Sequence, residues 1–126
     1  MKILIVEPDT NRQRQLRTIL SSLGHKSAEI ESTLDSKGAI SLLRKKRFDC
    51  SFISMAPGQF DALELLKNIR TGGSSRTLPV IIYSGEVTKE NVVSAHEAGS
   101  NAFLAYPFSV SDVESVILKA TTGKKS

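Results

Sequence analysis

Apolar positions along the chain follow two alternating rhythms. Short, mainly aliphatic runs are separated by longer stretches in which apolar residues recur every three or four positions. The first rhythm suits strands covered on both faces and the second suits amphipathic helices, so their fivefold alternation predicts successive βα units. Ile3–Val6, Cys50–Ile53, Pro79–Tyr83 and Ala102–Ala105 read as strands, and Pro79–Tyr83 is apolar enough for a central position. The remaining strand falls somewhere in His25–Ile30, where Ser27, Glu29 and the following Glu31 interrupt the pattern; so polar a strand belongs at a sheet edge.

The first helix runs from a cap at Asp9 or Thr10 to Gly24, with Leu16, Ile19, Leu20 and Leu23 on one face and Gly24 where a left-handed C-cap is wanted. Asp35 or Ser36 opens a second helix with Ala39, Ile40 and Leu43 to bury, and Met55–Phe60, with its Pro57-Gly58 pair, reads as a loop. Asp61–Arg70 forms a third helix burying Leu63, Leu66 and Ile69, followed by the aperiodic Thr71–Ser75. Thr88 or a neighbour opens a fourth ending at Gly99, and Ser111 caps a last one carrying Val113, Val116, Ile117 and Ala120. Parallel strands joined by helices need right-handed crossovers and cover on both faces. The economical fold is therefore α/β, a five-stranded parallel sheet doubly wound with five helices. Residues 1–121 form one domain, and 122–126 fall in the polar stretch that closes the sequence.

Length and composition narrow the class. At 126 residues, 40% hydrophobic and 24% charged, the chain is one globular core without need of metal or disulfide staples. Cys50 is the only cysteine, so an intramolecular disulfide is impossible and the cytoplasm is the default compartment. Ile3–Val6 is cut short by Glu7-Pro8-Asp9, too brief for a signal-peptide core or a membrane span. The net charge of +4 permits an acidic or nucleic-acid partner without demanding one.

Five local strings together carry a resemblance. They are Lys2–Glu7 (KILIVE), Phe48–Ile53 (FDCSFI), Leu63–Arg70 (LELLKNIR), Leu78–Ser84 (LPVIIYS) and Ala98–Phe108 (AGSNAFLAYPF). In order and spacing the chain resembles the receiver domain of bacterial two-component response regulators over essentially its whole length. The resemblance implies the flavodoxin-like strand order 2-1-3-4-5, with the site beyond the carboxyl ends of the strands where the order reverses. It also implies an acidic pair after the first strand and an aspartate ending the third that together hold Mg²⁺. That aspartate accepts a phosphoryl group, oxygen ligands being what a hard cation needs.

Here the pattern departs. The acidic pair reads Glu7-Pro8, and a pyrrolidine ring coordinates nothing. Ser54 stands at the acceptor position, and no Asp or Glu occurs from Cys50 to Phe60, so no small shift of alignment restores one. The lysine expected before the proline is replaced by Tyr106, before Pro107. Two carboxylates and one cation are gone together. Since an acidic cluster repels itself until metal is bound, a domain that no longer uses metal is more stable without it. Tyr106 is expected to fill the vacated space with its hydroxyl near Ser54 or Glu7, and the Tyr106-Pro107 bond is expected to be cis, as the matching family proline implies.

Ser84 matches the hydroxyl residue that turns toward the phosphoryl group in active receivers, and Phe103 the aromatic that moves with it. The bland alternatives are that Ser84 caps a turn and Phe103 is packing. If the positions keep a role, it is on the face formed by the fourth helix, fifth strand and fifth helix, to which Glu90, Val92 and Phe103 belong. Receivers commonly use that face for partners or for a homodimer. The reading is a pseudo-receiver of a two-component phosphorelay, a non-enzymatic protein-interaction module with no cofactor and no metal site. A receiver using a non-standard acceptor (Ser54, Glu7 or Asp9) is the alternative.

His25 and His96 lie in different elements with no Cys, His or acidic residue at metal-ligand spacing beside them, and no basic neighbour is evident to lower the pKa of Cys50. No nucleophile elbow surrounds Ser54 or Ser84, and Gly72-Gly73 lacks the rest of a phosphate loop. The basic groups Arg12, Arg14 and Arg17, and Arg44-Lys45-Lys46-Arg47, leave a nucleic-acid role as a minor alternative. The second group sits where cations suit a helix C-terminus, and with five Phe, two Tyr and no Trp few rings could stack on bases.

Overall fold

The computed structural model describes residues 1–122. The strands are β1 (Ile3–Val6), β2 (Ile30–Thr33), β3 (Cys50–Ser54), β4 (Val80–Ser84) and β5 (Ala102–Ala105). The helices are α1 (Thr10–Ser22), α2 (Ser36–Lys45), α3 (Ala62–Thr71), α4 (Lys89–Ala98) and α5 (Val110–Thr122). All strand pairs are parallel, in the order β2-β1-β3-β4-β5, the flavodoxin-like topology.

Strand alternation divides the core into two layers. Ile3, Ile5, Phe52, Ile81 and Tyr83 point to the side covered by α1 and α5, together with Leu16, Leu20, Val113 and Ile117. Leu4, Val6, Ile53, Val80 and Ile82 point to the other side, against Ala39 of α2, Leu65, Leu66 and Ile69 of α3, and Ala95 of α4. β1, β3 and β4 are buried throughout, as central strands covered on both faces must be, whereas β2 keeps only Ile30 fully buried.

Side-chain caps start the helices. Asp9, Asp35, Asp61 and Thr88 each accept a hydrogen bond from a backbone N–H of the first turn. Gly99 closes α4 in the left-handed region at φ 110°, and Gly24 follows α1 at φ 97°.

Four expectations need correction. β2 runs from Ile30 to Thr33, so only its first residue falls within 25–30, because Ser27–Glu29 form a short 3-10 turn that delivers the chain to the edge. In α3 the buried stripe uses Leu65 beside Leu66 and Ile69, and Leu63 is only partly buried, at its rim. Ile40 and Leu43 of α2 likewise pack from the rim while Ala39 takes the fully buried place. The cap of α5 is Ser109, whose hydroxyl accepts from Asp112 N at 3.1 Å, so the helix starts before Ser111 and its last turn includes Thr121 and Thr122. Of the tail assigned to 122–126, only Thr122 lies within the described residues.

One half-buried cation ties the domain together away from the strand ends. Arg70 on α3 donates to Gly99 O from Nε (3.0 Å) and Nη2 (2.8 Å), to Asn101 Oδ1 (2.8 Å) and to Arg76 O (3.1 Å). Asn101 Oδ1 also accepts from Val80 N, so this cluster fixes α3 against the entry of both β4 and β5. Burial lowers the Arg70 pKa from its ordinary value.

Candidate functional site

Register assembles the site. Val6 pairs with Ile53 and Ser54 with Tyr83, so the residues at the carboxyl ends of β1, β3 and β4 form one row: Glu7, Ser54, Tyr83. Alternation turns all three toward the α1/α5 side, continuing the columns Ile3-Ile5, Cys50-Phe52 and Ile81. All three are at most 1% exposed.

The Glu7 carboxylate is engaged by the chain's own groups on both oxygens. The Tyr83 hydroxyl donates to Oε1 at 2.8 Å, and Asp9 N donates to Oε2 at 3.0 Å. Arg12 Nη1 lies 4.0 Å from Oε2 while its Nη2 is 3.7 Å from Asp9 Oδ2. Asp9 in turn caps α1 through Oδ1, bonded by Asn11 N and Arg12 N. Burial, followed by the charge and the hydrogen bond of Glu7, pushes the Tyr83 phenol far above the ordinary tyrosine value, against smaller opposing effects of Ser54 and Arg12.

Aromatic contacts close a ring around this carboxylate. Tyr83 meets Phe108 edge-on at 5.1 Å, Phe108 meets Tyr106 edge-on at 5.0 Å, and the Arg12 guanidinium stands 5.0 Å over the Tyr106 ring before reaching back to Glu7. The expectation that Tyr106 fills the vacated space is thereby corrected. Its hydroxyl donates to Gln15 Oε1 of α1 at 3.0 Å, outside the row, and Tyr83 supplies the phenol instead. Tyr106 lies on the same α1/α5 side, two residues past Leu104, but beyond the end of β5, whereas Tyr83 sits in register with Ser54. The sequence does hold a signal for this, since Tyr83 shares the parity of Ile81, but a tyrosine inside an apolar strand reads as packing.

The other named residues fall as follows. The Tyr106-Pro107 peptide is cis. Ser84 points to the opposite side of the sheet and its Oγ accepts from Glu86 N at 3.0 Å, capping the turn after β4. Pro8 is partly buried beside Glu7 and offers no donor atom. Phe103 is partly buried against the α3/α4 layer and, with Val92, lines a groove of about 530 Å³ between α4, β5 and α5; Glu90 is exposed in the first turn of α4. Arg12 belongs to the site, Arg17 donates to Ser32 Oγ at 2.9 Å, and Arg14 donates to Asn11 Oδ1 at 3.3 Å, so the cations of α1 are engaged internally. Cys50 is fully buried, and burial raises its thiol from 9.0 to about 12.

A divalent cation does not fit the residues present. One carboxylate remains in the row, its oxygens already bonded by Tyr83 and Asp9, and the guanidinium of Arg12 approaches it from the side. A serine hydroxyl and a proline complete the set, a poor substitute for the charged oxygens a hard cation requires.

A five-stranded parallel sheet in this order, with one buried carboxylate past the strand ends, defines a doubly wound domain of the flavodoxin-like class. The chain belongs to the response regulator receiver domain family, whose model matches residues 3–118. It is similar to chemotaxis protein CheY-3 of Vibrio cholerae, 29% identical over 90% of this chain and 86% of that protein. It is also similar to chemotaxis protein CheY of Pseudomonas aeruginosa, 27% identical over 94% of both. Among solved structures, the receiver domain of NtrX from Brucella abortus superposes with a TM-score of 0.85 at 25% identity, covering 98% of this chain and 100% of that one. The receiver domain of a Pseudomonas aeruginosa sensor histidine kinase, solved with magnesium in its active-site cleft, gives 0.84 at 21% identity, covering 97% and 98%; that likeness is one of fold. The chain is thus a receiver domain of two-component signalling. Among the described residues no helix is long and apolar enough to cross a membrane.

Proposed function

We propose that this receiver neither binds Mg²⁺ nor takes a phosphoryl group, and that it works as a phosphorylation-independent protein-interaction module in the cytoplasm, with residues 1–121 as the docking unit. The observation that carries the reading is the closed Glu7 carboxylate. Tyr83 and Asp9 occupy the oxygens that a metal would need, and Arg12 supplies a positive charge in place. Ser54 at the end of β3 supports it, because a serine phosphate is an ester and lacks the acyl phosphate's reactivity. The docking surface is the face of α4, β5 and α5, where exposed Val87 and Val92 flank partly buried Phe103 and Val116, with Glu90, Asp112 and Lys119 as polar rim. Its occupant is a protein partner, with a homodimer as the second arrangement, and catalysis is no part of the role.

The test is titration with Mg²⁺ and beryllofluoride, read by amide NMR, with mass spectrometry after exposure to a phosphodonor. No saturable shifts at residues 7, 54 and 84 and no phosphoryl adduct, acid-labile or acid-stable, are expected. Saturable shifts there, or an adduct on Ser54, Glu7 or Asp9, would replace the proposal with phosphotransfer through an unusual acceptor.

A further inference from the structure

The end of the domain opposite the Glu7 row carries its own feature. Helices in a parallel α/β fold all point their C-termini the same way, so modest cation enrichment there follows from the helix dipole. The run Arg44-Lys45-Lys46-Arg47 exceeds that explanation. Only Arg44 and Lys45 lie in the last turn of α2; Lys46 is its C-cap and Arg47 lies beyond. Lys46 is paired with Glu31, while Arg44, Lys45 and Arg47 have no ion-pair partner among the described residues.

Beside these cations the surface is concave. A groove of about 560 Å³ runs between α2 and α3, floored by Ile40, Leu43 and Ile69 and bounded by Arg44 and the Gly72–Ser75 turn. It continues past Leu43 and Ser74 into a smaller cleft of about 180 Å³ lined by Lys46, Arg47 and Phe48. The one carboxylate lining either cleft is that of Asp49, and its Oδ2 accepts from Lys2 N at 2.7 Å.

We infer that this α2/α3 groove is a second docking surface, and that it takes an acidic amphipathic helix from a partner protein. Complementarity argues for that occupant. The apolar floor between two helices matches the hydrophobic stripe of a third, and an unpaired cationic rim matches carboxylates on its flanks. A nucleic acid would leave the floor uncovered, and Phe48 is the only aromatic ring among the lining residues. The inference rests on the proposed interaction role only in that the domain docks proteins; it is independent of the α4/β5/α5 face and of the phosphorylation chemistry.

The test uses the whole chain and three probes in amide NMR titrations: a helical peptide with Leu on one stripe and Glu on its flanks, the same peptide with Gln for Glu, and random duplex DNA. Saturable shifts confined to residues 40–48 and 68–78 with the Glu peptide are expected, at least about tenfold weaker binding in Arg44→Glu/Arg47→Glu and with the Gln peptide, and no change in Lys89→Glu on α4. The reversed positions lie at the rim, and the amide spectrum of each variant reports its fold. No saturable binding of the Glu peptide, shifts spread over other faces, equal binding of the Gln peptide, or preference for DNA at this groove would each overturn the inference. A Mg²⁺ or phosphodonor response would touch only the reading of the Glu7 row.

Discussion

Tyr83→Phe removes one oxygen from the core and leaves the ring in place. The lost hydroxyl is the donor to Glu7 Oε1 at 2.8 Å, and Glu7 is 1% exposed, so water does not replace it readily. Hydrogen bonds to charged groups contribute about 1.5–3 kcal/mol, and a buried acceptor left unpaired carries its full desolvation cost. We expect a loss of about 2 kcal/mol at neutral pH, or roughly 6–10 °C in Tm for a domain of this size. Tyr106→Phe is the control: its bond to Gln15 is exposed, and the change should stay within about 0.5 kcal/mol. The pH dependence has a definite sign. The folded pKa of Tyr83 is raised above the ordinary 10.0, so the stability it contributes is complete below that pH and is lost as pH rises toward the folded value. Urea unfolding across the alkaline range, in a Cys50→Ala background, should therefore show the chain with Tyr83 intact losing up to about 1.4 kcal/mol per pH unit more steeply above pH 10 than the Tyr83→Phe variant. Equal midpoints at neutral pH together with parallel alkaline slopes would refute the assignment of Tyr83 as the phenol that closes the site.

Two further predictions concern stability. Cys50, buried and raised from 9.0 to about 12, should hold its contribution below pH 9 and lose it between pH 9 and 12; its three-unit rise is worth about 4 kcal/mol, and Cys50→Ala should flatten that part of the profile. An unchanged alkaline profile would contradict it. At Gly38 a Cβ would fall 1.9 Å from Thr33 Oγ1 and 3.1 Å from Thr33 Cβ, so Gly38→Ala should cost about 1–3 kcal/mol despite a helix-propensity gain of about 1. Adding Thr33→Ala should recover most of the loss in denaturant unfolding, and a stabilising single variant would show that Thr33 gives way freely.

The order and kind of the elements are legible in the chain because they rest on local periodicity. Short, mainly apolar runs and amphipathic stretches opened by Asp9, Asp35, Asp61 and Thr88 carry their own instructions. Where polar residues weaken the rhythm, boundaries slip. The pattern places β2 too early because Ser27–Glu29 look like a poor strand and are in fact a turn. The edge position of β2 is readable all the same, since its polar character is the reason it lies there.

That Pro8, Ser54 and Tyr106 follow β1, end β3 and follow β5 is determined by the chain alone, because each is the identity of one residue at one position. Which group closes over Glu7 is decided only in three dimensions. Glu7 and Tyr83 are 76 residues apart, and they meet because β3 lies between β1 and β4 with a register that sets Ser54 beside both. The same register holds Tyr83 in a buried column, while the chain leaving β5 carries Tyr106 outward to Arg12 and Gln15. Periodicity assigns a side chain to a face; only the pairing of distant strands determines which side chains share it at bonding distance.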